Sequence, residues 1–216
     1  MKKLKYIFLL AGALLLASCE SWLDEDPQYT INTKTQFSTV ENAKQALMGC
    51  YGYMSADNAY GQAWQEVTFG YCGFGWSQTN GSSTDLLVSM DGGIDETINT
   101  MAWRGMYKVI GETNAFIANI ADSPLESADK LPMEAAARFL RALAYYNLAV
   151  TYGDVPLKTT PSAHDGVAVP RSPKNEVFEL VRTDWEFAYE NLPEKDDDGF
   201  ATVSYTHLRA HETCAD

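Results

Sequence analysis

The sequence predicts an all-α protein, a TPR-like helical array with long irregular loop insertions. Three observations lead to this. Apolar residues recur in steps of three and four along the long stretches 39–54, 98–120, 133–157 and 173–192, each drawing one stripe along a helix. The later stretches are joined by polar links and carry Ala-rich faces that let neighbouring helices approach closely. Residues 55–98 break the pattern with Gly, Asn, Ser and aromatics, and read as long loops, which in a packed domain commonly serve function. No strict 34-residue repeat is visible. The chain has 216 residues, enough for one or two domains, and its 46% hydrophobic content suits a folded core.

The N-terminus reads as a targeting segment. Lys2, Lys3 and Lys5 form a basic region ahead of an apolar run, Tyr6 to Leu16, that is too short to cross a bilayer. Leu16-Ala17-Ser18-Cys19 then resembles the lipobox of bacterial lipoproteins, which implies a signal peptide over 1–18 and acylation of Cys19. Residues 19–37 read as a lipidated tether. The acidic stretch after Cys19 resembles the surface-export signal of Bacteroidetes lipoproteins. Loss of residues 1–18 removes three lysines and moves the formal charge from −13 to −16. So acidic a surface repels nucleic acid and anionic headgroups. Membrane attachment is therefore expected through acyl chains, several of which together anchor stably.

The first helix is expected over Thr39 to Met54, opened by a Ser38/Glu41 capping box, with Val40, Ala43, Leu47, Cys50, Tyr51 and Met54 on its inner stripe. A short helix is expected around Trp64 to Phe69, with both of those aromatics packed inward. The second long helix is expected from Ile98 to Ile120, on a stripe of Trp103, Tyr107, Ile110, Asn114 and Ile117. A polar link, 121–132, precedes the longest pattern, Met133 to Leu157. There Pro132 reads as a first-turn residue, Phe139, Ala142, Leu143, Tyr146, Ala149 and Val150 form the stripe, Gly153 is a left-handed C-cap, and Pro156 blocks resumption. An extended, Pro-rich segment follows. Ser172 then caps a last helix with Pro173 in its first turn; Val177, Leu180, Val181, Asp184, Trp185, Ala188 and Leu192 fill one face, and Pro193 ends it.

Taken together these landmarks resemble the SusD/RagB family of Bacteroidetes outer-membrane lipoproteins. The matching pieces are the lipobox with Trp22-Leu23-Asp24-Glu25-Asp26-Pro27, the helix ending Met48-Gly49-Cys50-Tyr51, and Trp103, Tyr107, Ile110 and Asn114-Ala115. The most specific piece is Arg138-Phe139-Leu140-Arg141-Ala142 followed by Tyr145-Tyr146-Asn147-Leu148 and Tyr152-Gly153-Asp154-Val155-Pro156-Leu157; Arg171-Ser172-Pro173, Asp184-Trp185 and Leu192-Pro193 complete it. The resemblance implies a surface glycan-binding lipoprotein of the outer membrane. Such a protein captures oligosaccharides and passes them to a TonB-dependent, SusC-like transporter, without catalysis or cofactor of its own. It also implies a truncated SusD-like fold, with 38–202 as the N-terminal part of the helical domain. Residues 203–216, VSYTHLRAHETCAD, leave the family pattern and read as a non-native tail.

A sugar ring has apolar C–H faces and polar hydroxyl edges, so a glycan site needs exposed aromatics beside amides and carboxylates. Tyr71 to Asn80, YCGFGWSQTN, has that composition, and its glycines let aromatics stand out from a tight backbone. By the resemblance, glycan sites in the family draw on loops between the first two long helices. Trp76 is the leading platform, Tyr71 lies in the same stretch, and Gln78, Asn80 and Asp85 are the hydrogen-bonding candidates. Packing of these aromatics over helix ends is the competing reading.

Other residue groups carry less. No CxxC or metal spacing links Cys50, Cys72 and Cys214; Cys50 reads as a small buried hydrophobe, with a Cys50–Cys72 disulfide as the alternative. Asp24 to Asp26 and Asp196 to Asp198 read as solvated carboxylates. His207, His211, Glu212 and Cys214 have zinc-like spacing but no scaffold, so no metal site is expected. His164 sits alone in the Pro-rich segment, and no nucleophile–base spacing or phosphate-cradling loop appears. The rival reading is a TPR-like protein-interaction adaptor lipoprotein. A surface glycosidase comes third.

Overall fold

The computed structural model describes residues 33–72, 89–90, 97–161 and 169–193. The predicted signal peptide and Cys19 lie outside these residues, as do His164 and the tail 203–216. The described elements are α1 (Thr33–Gln36), α2 (Val40–Ser55), a π-type turn (Asp57–Gly61), α3 (Ala63–Tyr71), α4 (Thr97–Ala121), α5 (Ser127–Tyr152), β1 (Val155–Pro156), β2 (Arg171–Ser172) and α6 (Lys174–Asn191). Helix α5 packs against α4 and α6, and α2 lies against α4 and α5. The only sheet among the described residues is the two-residue antiparallel pairing of β1 with β2, Val155 opposite Ser172. All-helical architecture is what the periodicity predicts.

Packing begins earlier than the expected tether boundary. Phe37 is buried and meets the Phe116 ring edge-on at 5.4 Å, so the fold starts before residue 38. At the head of α2 the cap is Thr39, whose hydroxyl accepts from the Asn42 amide at 3.2 Å. Ser38 instead donates to the Thr35 carbonyl, 2.8 Å away, so the Ser38/Glu41 box is replaced by a cap one residue later.

Helix α4 buries Ile98, Ala102, Met106, Val109, Thr113, Phe116 and Ile120. The predicted stripe of Trp103, Tyr107 and Ile117 is its half-buried flank; only Ile110 and Asn114 of that stripe are fully buried. Among the described glycines, Gly105 allows the closest approach. A Cβ there would run into the carbonyl of Asn58, so only a bare backbone lets the π-type turn lie on α4.

Helix α5 starts at Ser127, six residues before the expected Met133, and Pro132 sits inside it. The first turn closes without Pro132, since the amides of Asp129 and Lys130 both reach the Glu126 carbonyl at 3.0 and 3.1 Å. Proline's missing N–H would matter only to the Ala128 carbonyl, near the solvated end of the helix. The helix is buried nearly all round, with Ala135, Ala136, Ala137, Leu140, Ala144, Tyr145 and Leu148 inside. Two residues of the expected core stripe, Tyr146 and Val150, form the outer edge at 41% and 52% exposure. The many alanines explain this: small side chains on several faces let three helices close in, so one stripe no longer marks the core. Gly153 ends the helix at φ 74°, ψ −122°, outside the expected left-handed helical well but still at a positive φ that suits glycine.

Polar residues tie the array together. Arg141 is 5% exposed, and its guanidinium donates to both carboxylate oxygens of Asp184 at 2.7 and 2.8 Å. Its third contact goes to Asn114 Oδ1 at 2.8 Å. The amide of Asn114 in turn donates to the carbonyls of Lys158 and Thr160, at 3.0 and 3.3 Å. Tyr145 completes the set: its hydroxyl donates to the Lys158 carbonyl at 2.8 Å and accepts from the Lys158 amide at 2.6 Å. One buried network thus joins α4, α5, α6 and the strap after β1. The strap is held again by Tyr107, whose hydroxyl donates to the Pro156 carbonyl at 2.7 Å; burial, reinforced by Tyr145, pushes that phenol up. At the far end of the strap, Ser172 belongs to β2 and the cap of α6 falls elsewhere. Asp154 accepts from the Lys174 amide at 2.9 Å, so a side chain distant in sequence does the work expected of Ser172.

Gly105→Ala is expected to destabilise the chain by about 1–3 kcal/mol, the usual range for overpacking against a part that cannot yield. Gly49→Ala, on α2 where nothing lies within 4 Å, is expected to raise the melting temperature through helix propensity alone. Thermal unfolding followed by far-UV circular dichroism checks both signs.

Candidate functional site

The aromatic-rich region expected to bind ligand follows α3 in the chain. Four of its named residues, Trp76, Gln78, Asn80 and Asp85, lie outside the described residues. Tyr71 is the last residue of α3. What the structure describes is the platform on which this region is rooted, and that platform is firmly held.

Helix α3 turns Ala63, Trp64 and Val67 into the core. Trp64 packs at 6.4 Å from the Tyr60 ring, which agrees with the expectation that it is structural. Tyr60 accepts a 2.6 Å hydrogen bond from the Asn147 amide of α5, and the same amide lies 3.9 Å from Met106 Sδ. Burial raises the Tyr60 phenol above its ordinary range, while the Asn147 bond acts the other way. The π-type turn is thereby fixed to the central helix, and α3 follows it in a fixed direction.

The outer face of α3 is unlike its inner face. Gln65, Thr68, Phe69 and Cys72 are exposed there. The polar members are satisfied locally: Gln65 donates to the Tyr60 carbonyl at 2.8 Å, and Thr68 donates to the Trp64 and Gln65 carbonyls at 2.9 and 3.0 Å. Phe69 is the exception to its expected inward packing. It is 63% exposed, the most exposed aromatic among the described residues. Its place explains this, since the buried positions 63, 64 and 67 share one face and residue 69 falls on the other. A helical-wheel reading of 63–71 could have found it, but the short pattern obscured the face.

Among the described residues, Cys50 and Cys72 do not pair. Cys50 is buried and free on α2, and Cys72 is exposed and free just after α3. Burial pushes the Cys50 thiol up to about 12, and the nearby Glu112 charge adds to the shift.

A second exposed apolar area lies across α5 and α6. Tyr146 packs at 6.2 Å from Phe178 and 5.5 Å from Trp185, with Val150 and Tyr189 beside them in helical spacing and partly exposed. On α4, Trp103 stands at 5.0 Å from Tyr107 and 5.1 Å edge-on from Tyr152, under the Arg171 guanidinium at 6.0 Å. Among the described residues no helix is long and apolar enough to cross a membrane.

A helical array whose sequence carries an aromatic insertion between its long helices defines a class of helical scaffold. The comparisons with known proteins identify which. Residues 21–208 match the SusD-like family described as starch-binding and associating with the outer membrane, and the chain belongs to that family. Among curated relatives it is similar to SusD-like protein P25 of Formosa agariphila, 24% identical over 88% of this chain and 38% of that protein. It is similar also to SusD-like protein P38 of the same organism, 30% identical over 89% of this chain and 39% of that protein. The chain therefore spans about two fifths of the length of these relatives. Solved structures with the same fold include a SusD superfamily protein from Bacteroides thetaiotaomicron, with TM-score 0.70, 22% identity, and coverage of 82% of this chain and 42% of that one. A laminarin-binding SusD-like protein superposes with TM-score 0.66, 22% identity, and coverage of 81% and 39%. A structure solved with a xylogluco-oligosaccharide does so with TM-score 0.64, 21% identity, and coverage of 77% and 33%.

The two thiols give a direct test of this platform. At pH 8, iodoacetamide followed by peptide mass mapping is expected to label Cys72 within minutes and leave Cys50 unlabelled until denaturant is added. Because the core holds the neutral Cys50 thiol, its stabilising effect is intact below the ordinary thiol value of 9.0 and is lost as pH rises towards 12.

Proposed function

We propose that the full-length protein captures oligosaccharides at the outer-membrane surface and delivers them to a TonB-dependent, SusC-like transporter. The observation that carries this reading is the family match over 21–208, which includes the whole aromatic segment between α3 and α4. Two relatives in fold support the ligand class: one is named for binding laminarin, and another was solved with a xylogluco-oligosaccharide. In this reading Cys19 carries the lipid anchor and Trp76 stacks on a sugar ring. Tyr71 adds a second aromatic, and Gln78, Asn80 and Asp85 take the hydroxyls. The helical array holds this segment and performs no chemistry, so the protein binds sugars without cleaving them.

The alternative is a protein-interaction adaptor. The observation in its favour is the partly exposed Tyr146, Val150 and Tyr189 edge of α5 and α6. A pull-down separates the readings: retention of the transporter by a protein that binds no glycan supports the adaptor.

In the full-length protein, Trp76→Ala is expected to weaken oligosaccharide affinity tenfold to a hundredfold, the scale of losing a buried apolar contact of about 1.5–3 kcal/mol. Isothermal titration calorimetry measures it. Unchanged affinity would remove Trp76 from the site, and sugar release on incubation would show a glycosidase instead.

A further inference from the structure

We propose that the apolar edge shared by α5 and α6 is the seat of a further helix of the same chain, supplied in the full-length protein by the part that follows Pro193. The edge is then a joint inside the array and not a surface for other proteins. The inference goes beyond glycan capture and does not depend on it.

The edge lies on a definite side of α5. Arg141 reaches Asn114 of α4 and Asp184 of α6, and Asn147 reaches Tyr60 of the π-type turn. Those contacts take up the other sides of the helix. Leu143, Tyr146 and Val150 step three and four along the side left over; Leu143 is half-buried, and the other two are 41% and 52% exposed. Helix α6 continues the edge with Phe178, Trp185 and Tyr189, whose spacing of seven and four puts them on one flank. Phe178 and Trp185 pack on Tyr146 at 6.2 and 5.5 Å, and Tyr189 is 38% exposed.

The residue types mark a joint. In a stacked array each helix buries its apolar flank on the next, and the helix that closes the stack turns a polar face outward. Helix α6 does have a polar face, where Arg182 meets Glu179 at 2.8 Å and Glu186 at 2.6 Å. The aromatic flank is separate from that face and is bordered at its start by Lys174, which lies over the Phe178 ring at 5.3 Å. Large apolar side chains left wet forgo burial that a further helix supplies.

The path of the chain names the occupant. Helix α6 is capped at Leu192, which is buried, and Pro193 stops it, so the backbone leaves one turn beyond Tyr189, at the end of this same edge. Elements consecutive in a chain usually lie side by side, and short links make helices antiparallel neighbours. This chain covers 38% and 39% of two curated relatives, so most of such a protein lies outside the match. A tethered segment meets the edge at an effective concentration on the order of millimolar, which an untethered partner protein does not reach.

The test is made on the full-length protein. Val150→Cys and, as a control on the polar face of α6, Thr183→Cys are each placed in a Cys72→Ser background and labelled with a maleimide under native conditions, with peptide mass mapping. Val150→Cys is expected to label at least tenfold more slowly than Thr183→Cys, at a rate independent of protein concentration. Tyr146→p-benzoylphenylalanine, on illumination, is expected to crosslink within one chain to peptides that follow Pro193. Equal labelling of the two sites would overturn the proposal and return the edge to the protein-interaction reading. Protection that grows with protein concentration, or crosslinks between two chains, would overturn it in favour of a second copy. Each of these outcomes leaves glycan capture standing.

Discussion

The fold depends on a cation withdrawn from water. Arg141 sits on the central helix with almost no exposure, and its charge is tolerable there because Asp184 and Asn114 take up its donors. Each partner comes from a different helix. The geometry is demanding, since a planar guanidinium must meet a carboxylate edge-on while a third donor reaches an amide carbonyl. Hydrophobic packing among alanine-rich faces would accept several relative rotations of these helices; the guanidinium fork is far less permissive. Asn114 and Tyr145 then pass the constraint to Lys158 and Thr160, which fixes the strap and through Asp154 the start of α6. Arg138 extends the network outwards, 2.6 Å from Glu134 and 3.6 Å from Asp184, with its guanidinium over the Phe187 ring at 4.1 Å.

Much of this frame was legible in the sequence, for a physical reason. Long helices repeat a buried position every three or four residues, and α2, α4, α5 and α6 each carry that period. Asn114 and Asp184 were placed on the inner stripes by period alone, and the Arg141 that justifies two polar residues there could not be located by periodicity. Ends were less legible than existence. Pro132 read as a helix start because proline suits that place, yet α5 runs through it by beginning at Ser127. Ser172 read as a cap, but Asp154 fills that role from across the strap, and such a contact has no local signature. The stripe through Tyr146 and Val150 was misassigned because alanines blur the contrast between faces.

The candidate site was legible only as composition. Trp76, Gln78, Asn80 and Asp85 were selected because aromatics, amides and a carboxylate match the two faces of a sugar, and a loop has no period to test such a choice. Phe69 shows how that reasoning fails: it was expected to pack over the helix ends, while the three-dimensional face of α3 turns it out. The functional picture is one of divided labour. A helical frame pinned by one buried ion pair holds a short helix in a fixed direction, and the proposed binding residues follow that helix in the chain.

The central claim, that the Arg141–Asp184 contact fixes the array, is tested most directly by a double-mutant cycle on chemical unfolding. Arg141→Met and Asp184→Leu are made singly and together. Each single change leaves one buried charge without its partner and is expected to cost about 3–5 kcal/mol. The double variant is expected to cost far less than the sum, because both charges leave at once. Single losses below about 1 kcal/mol, or losses that simply add, would contradict the account and would mean that alanine packing alone sets the helices.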